Sequence, residues 1–563
     1  MTALQTPYRA ANAWGTGARI ATAGFLYDPR AVKTIDAAPQ AVATLPTVGA
    51  LAYRGAGQDE KTLSSWSAPV KTADGNILRE KRIIDGRSHD LIRNNGYAAG
   101  AEQTYDDNIV GAKGLRLAAK PNWRALGKTE EWATQFAAEA EALYSSFAHD
   151  ARECDYYGVN DIADQTSIAF KGVFADGDSF ALPQWDPKPG RIWSTRLQGI
   201  EAHRVRNPMG EQDSDRLRGG IELDAVGRPI AVHISTPRPG DSPTAYAYGY
   251  SYNTERIPLE TNWGRRRVIQ LVKRKRYGQN RGIGRLAPIL AQFKQLDMYL
   301  DYEMKNQMLN TLIGMVIETP VEDLIGLFAN QEQAITALGN RVPPTFNGGG
   351  QVIQLKPGEK MSPYSPNRPG SQLESFVLSF TRELCSALNI PYELFTKDFS
   401  KSSYVGIRAG LAEAYRFFSG ERYWLATGWN QPIYELIMEE AVNAGRIDAP
   451  GFYQNLKAYC RADWLGAGRG YTDRVKEVTA SALAIKTRVS TLEIECAEQG
   501  QDWREVIDQI AKEEAYAEEK GVSLDTDPAV VAAASAPQQG SDNNNNDDPP
   551  NQPAPAKDKQ EKA

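Results

Sequence analysis

Two amphipathic helical patterns, separated by a stretch of about sixty residues, constrain this chain more than any other feature. In the first, Leu286, Ile289, Phe293, Leu296, Leu300 and Met304 recur every three or four residues, while Lys294, Asp297, Asp301 and Lys305 fall on other faces. The second, SQLESFVLSFTRELCSALN, opens with a capping box of Ser371 and Glu374, carries Leu373, Val377, Phe380, Leu384 and Leu388 at helical spacing, and stops at Pro391. Between them, strand-like GMVIE and QVIQL flank the helical EDLIGLFANQEQAITALG and the loop VPPTFNGGG. The pattern predicts a small α/β module carried on two helices.

The flanking regions read differently. Residues 1–80, rich in Ala, Thr, Gly and Pro with weak periodicity, predict an extended arm with little core. From Ile83 the pattern is helical, interrupted at NIVGAKGLRL, and EWATQFAAEAEALYSSFAHD is an amphipathic helix. Alternation then takes over in VFADGDSFALPQW, IELDAVGRPIAVHIS and TAYAYGYSY, which predict strands joined by Asp-Gly and Gly-Arg-Pro turns. A long aromatic helix is expected near 403–444, and a helical array after WLGAGRGYTD, with Ser490 and Glu493 as a second capping box. Beyond Val531 there is no Leu, Ile, Val, Met or aromatic residue, so the tail cannot build a core and is expected to be disordered. The fold class is α+β.

Composition narrows the function. A net charge of −6, from 64 Lys and Arg against 70 acids, argues against a protein that coats nucleic acid through bulk basicity. The four cysteines, Cys154, Cys385, Cys460 and Cys496, form no CxxC pair, so neither a disulfide framework nor a zinc knuckle is expected, and no metal or cofactor is. No signal core or membrane-length apolar run is visible. Gly127-Lys128-Thr129 spells the end of a P-loop, but Asn122 stands where the earlier glycine is required, which leaves a solvated helix start. Asp176-Gly177-Asp178 could offer carboxylates to Mg²⁺ but reads first as a hairpin turn. His89, His149, His203 and His233 are scattered without a catalytic motif, so no catalytic residue is assigned.

Two stretches remain as binding candidates. Residues 265–285 hold nine Lys and Arg and no acid. Arg265, Arg266, Arg267, Lys273, Arg274, Lys275 and Arg276 could form a basic patch, facing solvent or an acidic neighbouring subunit in preference to DNA. The loop KDFSKSSYVGIRAG, running into a helix at LAEAYRFF, combines Lys397, Ser400, Lys401, Ser402, Ser403, Tyr404 and Arg408 at a helix N-terminus, which suits phosphate. The phosphate could belong to a nucleotide or to DNA.

The segments RSHDLIRNNGYAAGAEQTYDDNIVGAKG, CDYYGVND, GIELDAVGRPIAVHIS, RYGQNRGIGRLAP, LNIPYELFTKDFSKSSYVGIRAG and WLGAGRGYTDRVKEVTASALAIKTRVSTLEIECAEQGQDW, in this order and spacing, resemble portal proteins of the lambda-like tailed phages. The resemblance covers most of residues 80–525. It departs at Ser403, Tyr404, Val405, Gly406, Ile407 and Arg408, where such portals often carry Asn-Tyr-Ser-Ser-Ala-Arg.

The resemblance implies a portal fold of wing, stem helices, clip and crown, assembled as a dodecameric ring. After the arm, 81–284 would be wing, 285–310 the first stem helix, 311–368 the clip and 369–390 the second stem helix. Then 391–469 would be tunnel loop and long wing helix, 470–528 the crown and 529–563 the tail. Leu286, Ile289, Phe293, Leu296, Leu300, Val377, Phe380 and Leu384 would pack the stem, and the 397–408 loop would face the channel. The ring would sit at one capsid vertex of the virion after assembly in host cytoplasm. It would pass double-stranded DNA without sequence specificity, during packaging by the terminase large subunit and later during ejection. It would also meet the major capsid protein, a scaffold or head protease, and head-completion or tail connector proteins, with no membrane partner. ATP hydrolysis would belong to terminase. The alternatives are another ring-forming connector or tail component of the virion, and a nucleotide-dependent DNA-processing enzyme.

Overall fold

The computed structural model describes residues 68–235, 254–312, 315–318, 360–363, 373–400, 403–470 and 473–522. The capping box at Ser371, the strand-like TAYAYGYSY, most of the α/β module and the C-terminal tail lie outside them. The first helix, α1 (Ala73–Asn94), begins inside the stretch expected to be an extended arm. Thr72 caps it by accepting the Gly75 amide at 3.2 Å, and Asp74 is buried. Asn95 caps α2 (Gly96–Ile109) through the amides of Tyr97 and Ala98. The GKT sequence is a helix start: Gly127 is left-handed, and Thr129 caps α3 (Glu130–Ala148) by accepting from Trp132.

The Asp-Gly turn is not a hairpin. Helix α4 (Ile162–Asp176) ends on Gly177 at φ 85°, and β2 (Asp178–Trp185) starts at once. The apolar spacing of IADQTSIAFKGVFAD continues through Asp176, so helical periodicity overrides the short alternating stretch around it. Strand β2 pairs antiparallel with β3 (Thr195–Ile200) and with β8 (Ile269–Val272). A second antiparallel sheet runs β4 (Leu217–Arg218), β5 (Ile221–Leu223), β6 (Pro229–Ser235), β7 (Thr254–Pro258). Its Gly-Arg-Pro turn is closed by the Asp224 carboxylate, which accepts from Val226 and Arg228.

Because side chains alternate along a strand, β2 separates two cores. Ala181 joins the large helical core, whereas Phe180 and Leu182 join Ile221, Val232, Ile234 and Ile257 beneath the second sheet. Helix α5 (Leu290–Leu312) follows a short turn at Ala287–Ile289. Farther along the chain come the antiparallel ladder of β9 (Met315–Glu318) with β10 (Lys360–Pro363) and then α6 (Leu373–Leu388).

The long aromatic helix is α7 (Tyr404–Leu425) and α8 (Gln431–Asn443), joined through a π turn at Ala426–Asn430. Pro432 lacks the amide an α-helix needs there, and the Gln431 amide reaches back five residues to Ala426. After α9 (Phe452–Tyr459), strand β11 (Ala462–Leu465) pairs with β1 (Arg116–Ala119). The C-terminal array is α10 (Arg474–Lys486), α11 (Leu492–Glu498) and α12 (Trp503–Lys520). Its cap is Thr491, which accepts the Ile494 amide, one residue past the expected Ser490.

One joint locks the strands to α5. The glycines of RGIGR let backbone meet backbone: a Cβ on Gly282 would lie 1.8 Å from the Gly177 carbonyl oxygen, and one on Gly284 2.0 Å from that of Ala175. Neither neighbour is a side chain that can swing away. Gly282→Ala is therefore expected to cost at least about 3 kcal/mol, read as a large drop in melting temperature or loss of soluble protein. Gly199→Ala in β3, where an added methyl meets nothing within 4 Å, should melt like the wild type. Equal melting of the two variants would contradict this packing.

Candidate functional site

The segment from the end of α6 to the start of α7 is anchored at its base and open at its tip. Asn389 and Lys397, both left-handed at φ 52° and 58°, bracket the one-turn helix Tyr392–Thr396. Phe395 is buried, stacked on Tyr97 with centroids 5.5 Å apart, and lies 6.5 Å from Phe293 of α5. The Leu388 carbonyl accepts from the Tyr105 hydroxyl, whose ring sits among Phe170, Phe174, Phe417 and Phe418.

The loop residues divide along this line. Lys397 donates to Thr104 of α2 at 3.1 Å, so it serves the base of the loop. Ser400 bonds Asp398 through its amide and hydroxyl, and Ser403 caps α7 by accepting the Gly406 amide at 3.2 Å. Tyr404, Val405 and Arg408 are exposed on the first turns of α7. Lys401 and Ser402 lie outside the described residues.

The basic run is dispersed. Strand β8, roughly 13 Å long, stands between Arg265–Arg267 and Lys273–Arg276, and the two groups take different partners. Arg265 pairs with Glu439 of α8 at 2.7 Å, and Lys273 pairs with buried Glu421 of α7, which also binds Arg285. Arg274 and Arg276 donate to the carbonyls of Gln279 and Lys71. Arg266, Arg267, Arg274, Lys275 and Arg276 are exposed. Arg265 and Lys273 find carboxylates far away in sequence, which local charge counting does not detect.

Of the helix-pair residues, Leu286, Ile289, Phe293, Leu296 and Leu384 are buried in the large core, and Leu300, Val377 and Phe380 pack against it half-buried. Tyr299 meets Phe376 at 4.8 Å. The apolar stripe outlasts this cover: Met304 is 62% exposed, and Met298, Tyr302 and Met308 are exposed with it.

Sequence reasoning assigned no role to the most tightly held charges. Arg281, fully buried, grips Asp178 through Nε at 2.5 Å and a second nitrogen at 3.2 Å. It also donates to the carbonyls of Val205, Gly219 and Ala202. Lys81 of α1 lies 3.5 Å from Asp178 and 3.1 Å from Asp85, and donates to the Asp176 carbonyl. His89, one turn beyond Asp85, meets Asp176 at 2.8 Å. The available signal was the pairing of DGD with RGIGR, two glycine-marked stretches a hundred residues apart that the tertiary fold brings together.

Burial alone would raise the Asp178 pKa, but the charges of Arg281 and Lys81 hold it below the ordinary carboxylate value. Asp85 goes the other way: burial, opposed by Lys81 and reinforced by Asp176 and Asp178, pushes its carboxyl up to about 7. His89 is also raised, through its hydrogen bond to Asp176 against the opposing effect of burial. Among the described residues no group of three or more His, Cys, Asp or Glu could hold a metal ion, and no helix is long and apolar enough to cross a membrane.

The comparisons with known proteins agree with this architecture at the level of family. Residues 59–422 match the family described as phage portal protein, lambda family. Portal protein B of Escherichia phage lambda is 28% identical over 473 residues, covering 80% of this chain and 87% of that protein. The portal protein of Escherichia phage N15 is 27% identical over 474 residues, with the same coverage. A chain in the neck of an empty GTA particle resembles the structure more loosely, at TM-score 0.37 and 13% identity over 71% of this chain and 89% of that one. The chain belongs to the lambda family of phage portal proteins, on the strength of the sequence matches, and its role is that of a portal, a structural component of the virion. No catalytic family is indicated.

The raised groups give a pH signature. Asp85 and His89 hold protons more tightly folded than unfolded, so their stabilising effect is complete below the unfolded values, 3.8 and 6.5, and is lost as pH rises through the folded ones. Asp85 therefore makes the melting temperature fall as pH rises from about 4 to about 7, and His89 adds to the fall from 6.5 upward. Asp85→Asn should flatten that slope and leave the share due to His89. An unchanged slope in the variant would show that Asp85 is ionised throughout.

Proposed function

We propose that twelve copies of this chain close into a ring at one vertex of the capsid, through which double-stranded DNA enters under the action of terminase and later leaves. In this reading α5 and α6 are the stem helices, the segment joining them through β9 and β10 is the clip, and the body from α1 to β8 with α7 and α8 is the wing. The array α10–α12 is the crown. Terminase and then head-completion proteins meet the clip, and ATP hydrolysis resides in terminase.

The observation that carries the ring is the exposed apolar surface on α5. In the protomer Tyr302 and Met304 are 61% and 62% exposed, with Met298 on the same helix 43% exposed, and a neighbouring copy would remove that surface from solvent. Net charge supports the conduit: at −6 per chain the wall exerts no overall attraction on phosphate, whereas a strongly basic wall would hold DNA by counterion release. Tyr404 and Arg408 at the start of α7, with Lys401 beside them in sequence, are the groups placed to touch a passing backbone without reading its bases.

Native mass spectrometry and DNA packaging with purified terminase test this together. Met304→Asp should preserve the circular dichroism and melting of the protomer, because the side chain is exposed there, yet sharply lower ring yield and packaging. Arg408→Ala should keep rings at wild-type yield and change packaging modestly, with the effect fading as salt rises. Full ring yield with Met304→Asp would remove the outer half of α5 from the subunit interface. ATP hydrolysis by the isolated protein would favour an enzyme.

A further inference from the structure

The C-terminal array carries two exposed stripes of opposite character. Between Arg474 and Lys520, only Cys496 and Ala517 are buried apolar residues among those described. The array is tied to the body by charge: Lys120 bridges Asp463 of β11 and Glu493 of α11, and Arg116 meets Glu505 of α12 at 2.7 Å. On α10, Val475, Val478, Ala482 and Lys486 follow one another at helical spacing, and the first two are 53% and 47% exposed. On α12, Ile507, Ile510, Glu514 and Glu518 repeat the same spacing, the two isoleucines 42% and 47% exposed. The charges differ in sign. Helix α10 has three basic side chains to one carboxylate, with Arg488 just beyond, whereas α12 has six carboxylates to three basic side chains.

We propose that α10 of one copy docks on α12 of the next, so that the array forms a second, head-to-tail belt around the ring. The proposal rests on the ring reading and adds to it the identity of two mating faces. Each stripe is apolar at its N-terminal end and charged at its C-terminal end, basic on α10 and acidic on α12. A second copy therefore offers each stripe both a hydrophobic cover and a counter-charge. The two faces are different surfaces of one chain, which is the condition for a heterologous contact. Such a contact closes into a ring when the rotation between copies permits. An acidic partner would suit α10 and a basic one α12, but only a copy of this chain supplies both from a single surface set.

Cross-linking between variants with one added cysteine tests the pairing, since the native Cys154, Cys385, Cys460 and Cys496 are all buried. Val478→Cys and Ile510→Cys, both at exposed positions, should each assemble as the wild type does. Mixed rings of the two, treated with a short bis-maleimide, should yield covalent dimers absent from rings of either variant alone and lost when rings are dissociated first. Rings that assemble by native mass spectrometry but give no such dimers would overturn the pairing and leave the ring intact. Links confined to single chains of a Val478→Cys/Ile510→Cys double variant would likewise overturn it, by showing that the stripes meet within one protomer. Wild-type protein that never forms rings would overturn both readings.

Discussion

The buried pair of Arg281 and Asp178 is the constraint on which the rest of the structure depends. A buried guanidinium has five donors to satisfy, and Arg281 satisfies them with two carboxylate oxygens and three backbone carbonyls drawn from separate stretches of chain. The carboxylate is in turn held by the Gly282 amide and by Lys81. Breaking such a pair from one side leaves a charge stranded, at a cost of about 3–5 kcal/mol. A lysine in place of Arg281 would offer three donors without the planar fork, so it could not reach the same acceptors. The pair thus specifies one relative placement of α1, β2, the Ala202–Val205 turn and the glycine strip that leads into α5.

That placement explains why α5 is fixed at its root. Gly282 and Gly284 lie against the end of α4 with no room for a Cβ, Arg285 is bound to Glu421 and lies over the rings of Tyr105 and Phe417, and Leu286 is fully buried. Farther along α5, Tyr302 and Met304 are exposed in the protomer, the surface that the proposed ring would cover. The loop before α7 is built on the same foundation, because Tyr105 holds the Leu388 carbonyl and Tyr97 holds Phe395. The base of this segment is thus anchored while Ser400, Ser403 and Tyr404 are exposed, which is what the proposed contact with passing DNA requires.

Local patterns were legible in proportion to how far local chemistry decides them. The amphipathic spacing of α3, α5 and α6 announced those helices, since a buried stripe has to repeat at helical period. The long aromatic helix was visible as well, although its π turn was not marked until Pro432 is weighed against the missing amide. Other elements were decided by partners distant in sequence. The Asp-Gly turn became a helix cap because α4 continues through Asp176. The nine-cation run looked like a surface patch because the carboxylates of Glu439, Glu421 and Asp178 that absorb part of it lie up to about 170 residues away. Lys397 read as a phosphate contact for the same reason, with Thr104 invisible from its own neighbourhood. The assignment of wing, stem, clip and crown came from the family resemblance and stands as a proposal.

The central claim is that α5 and the loop before α7 are placed by the Arg281 joint to face, respectively, a neighbouring copy and a channel. A cryo-electron microscopy map of the purified protein tests it most directly. The predicted result is a closed ring with a central hole, Met304 covered by the adjacent subunit, and Tyr404 and Arg408 at the channel lining. Isolated protomers, or a ring in which Met304 points to solvent and the α7 N-terminus lies on the outer rim, would contradict it.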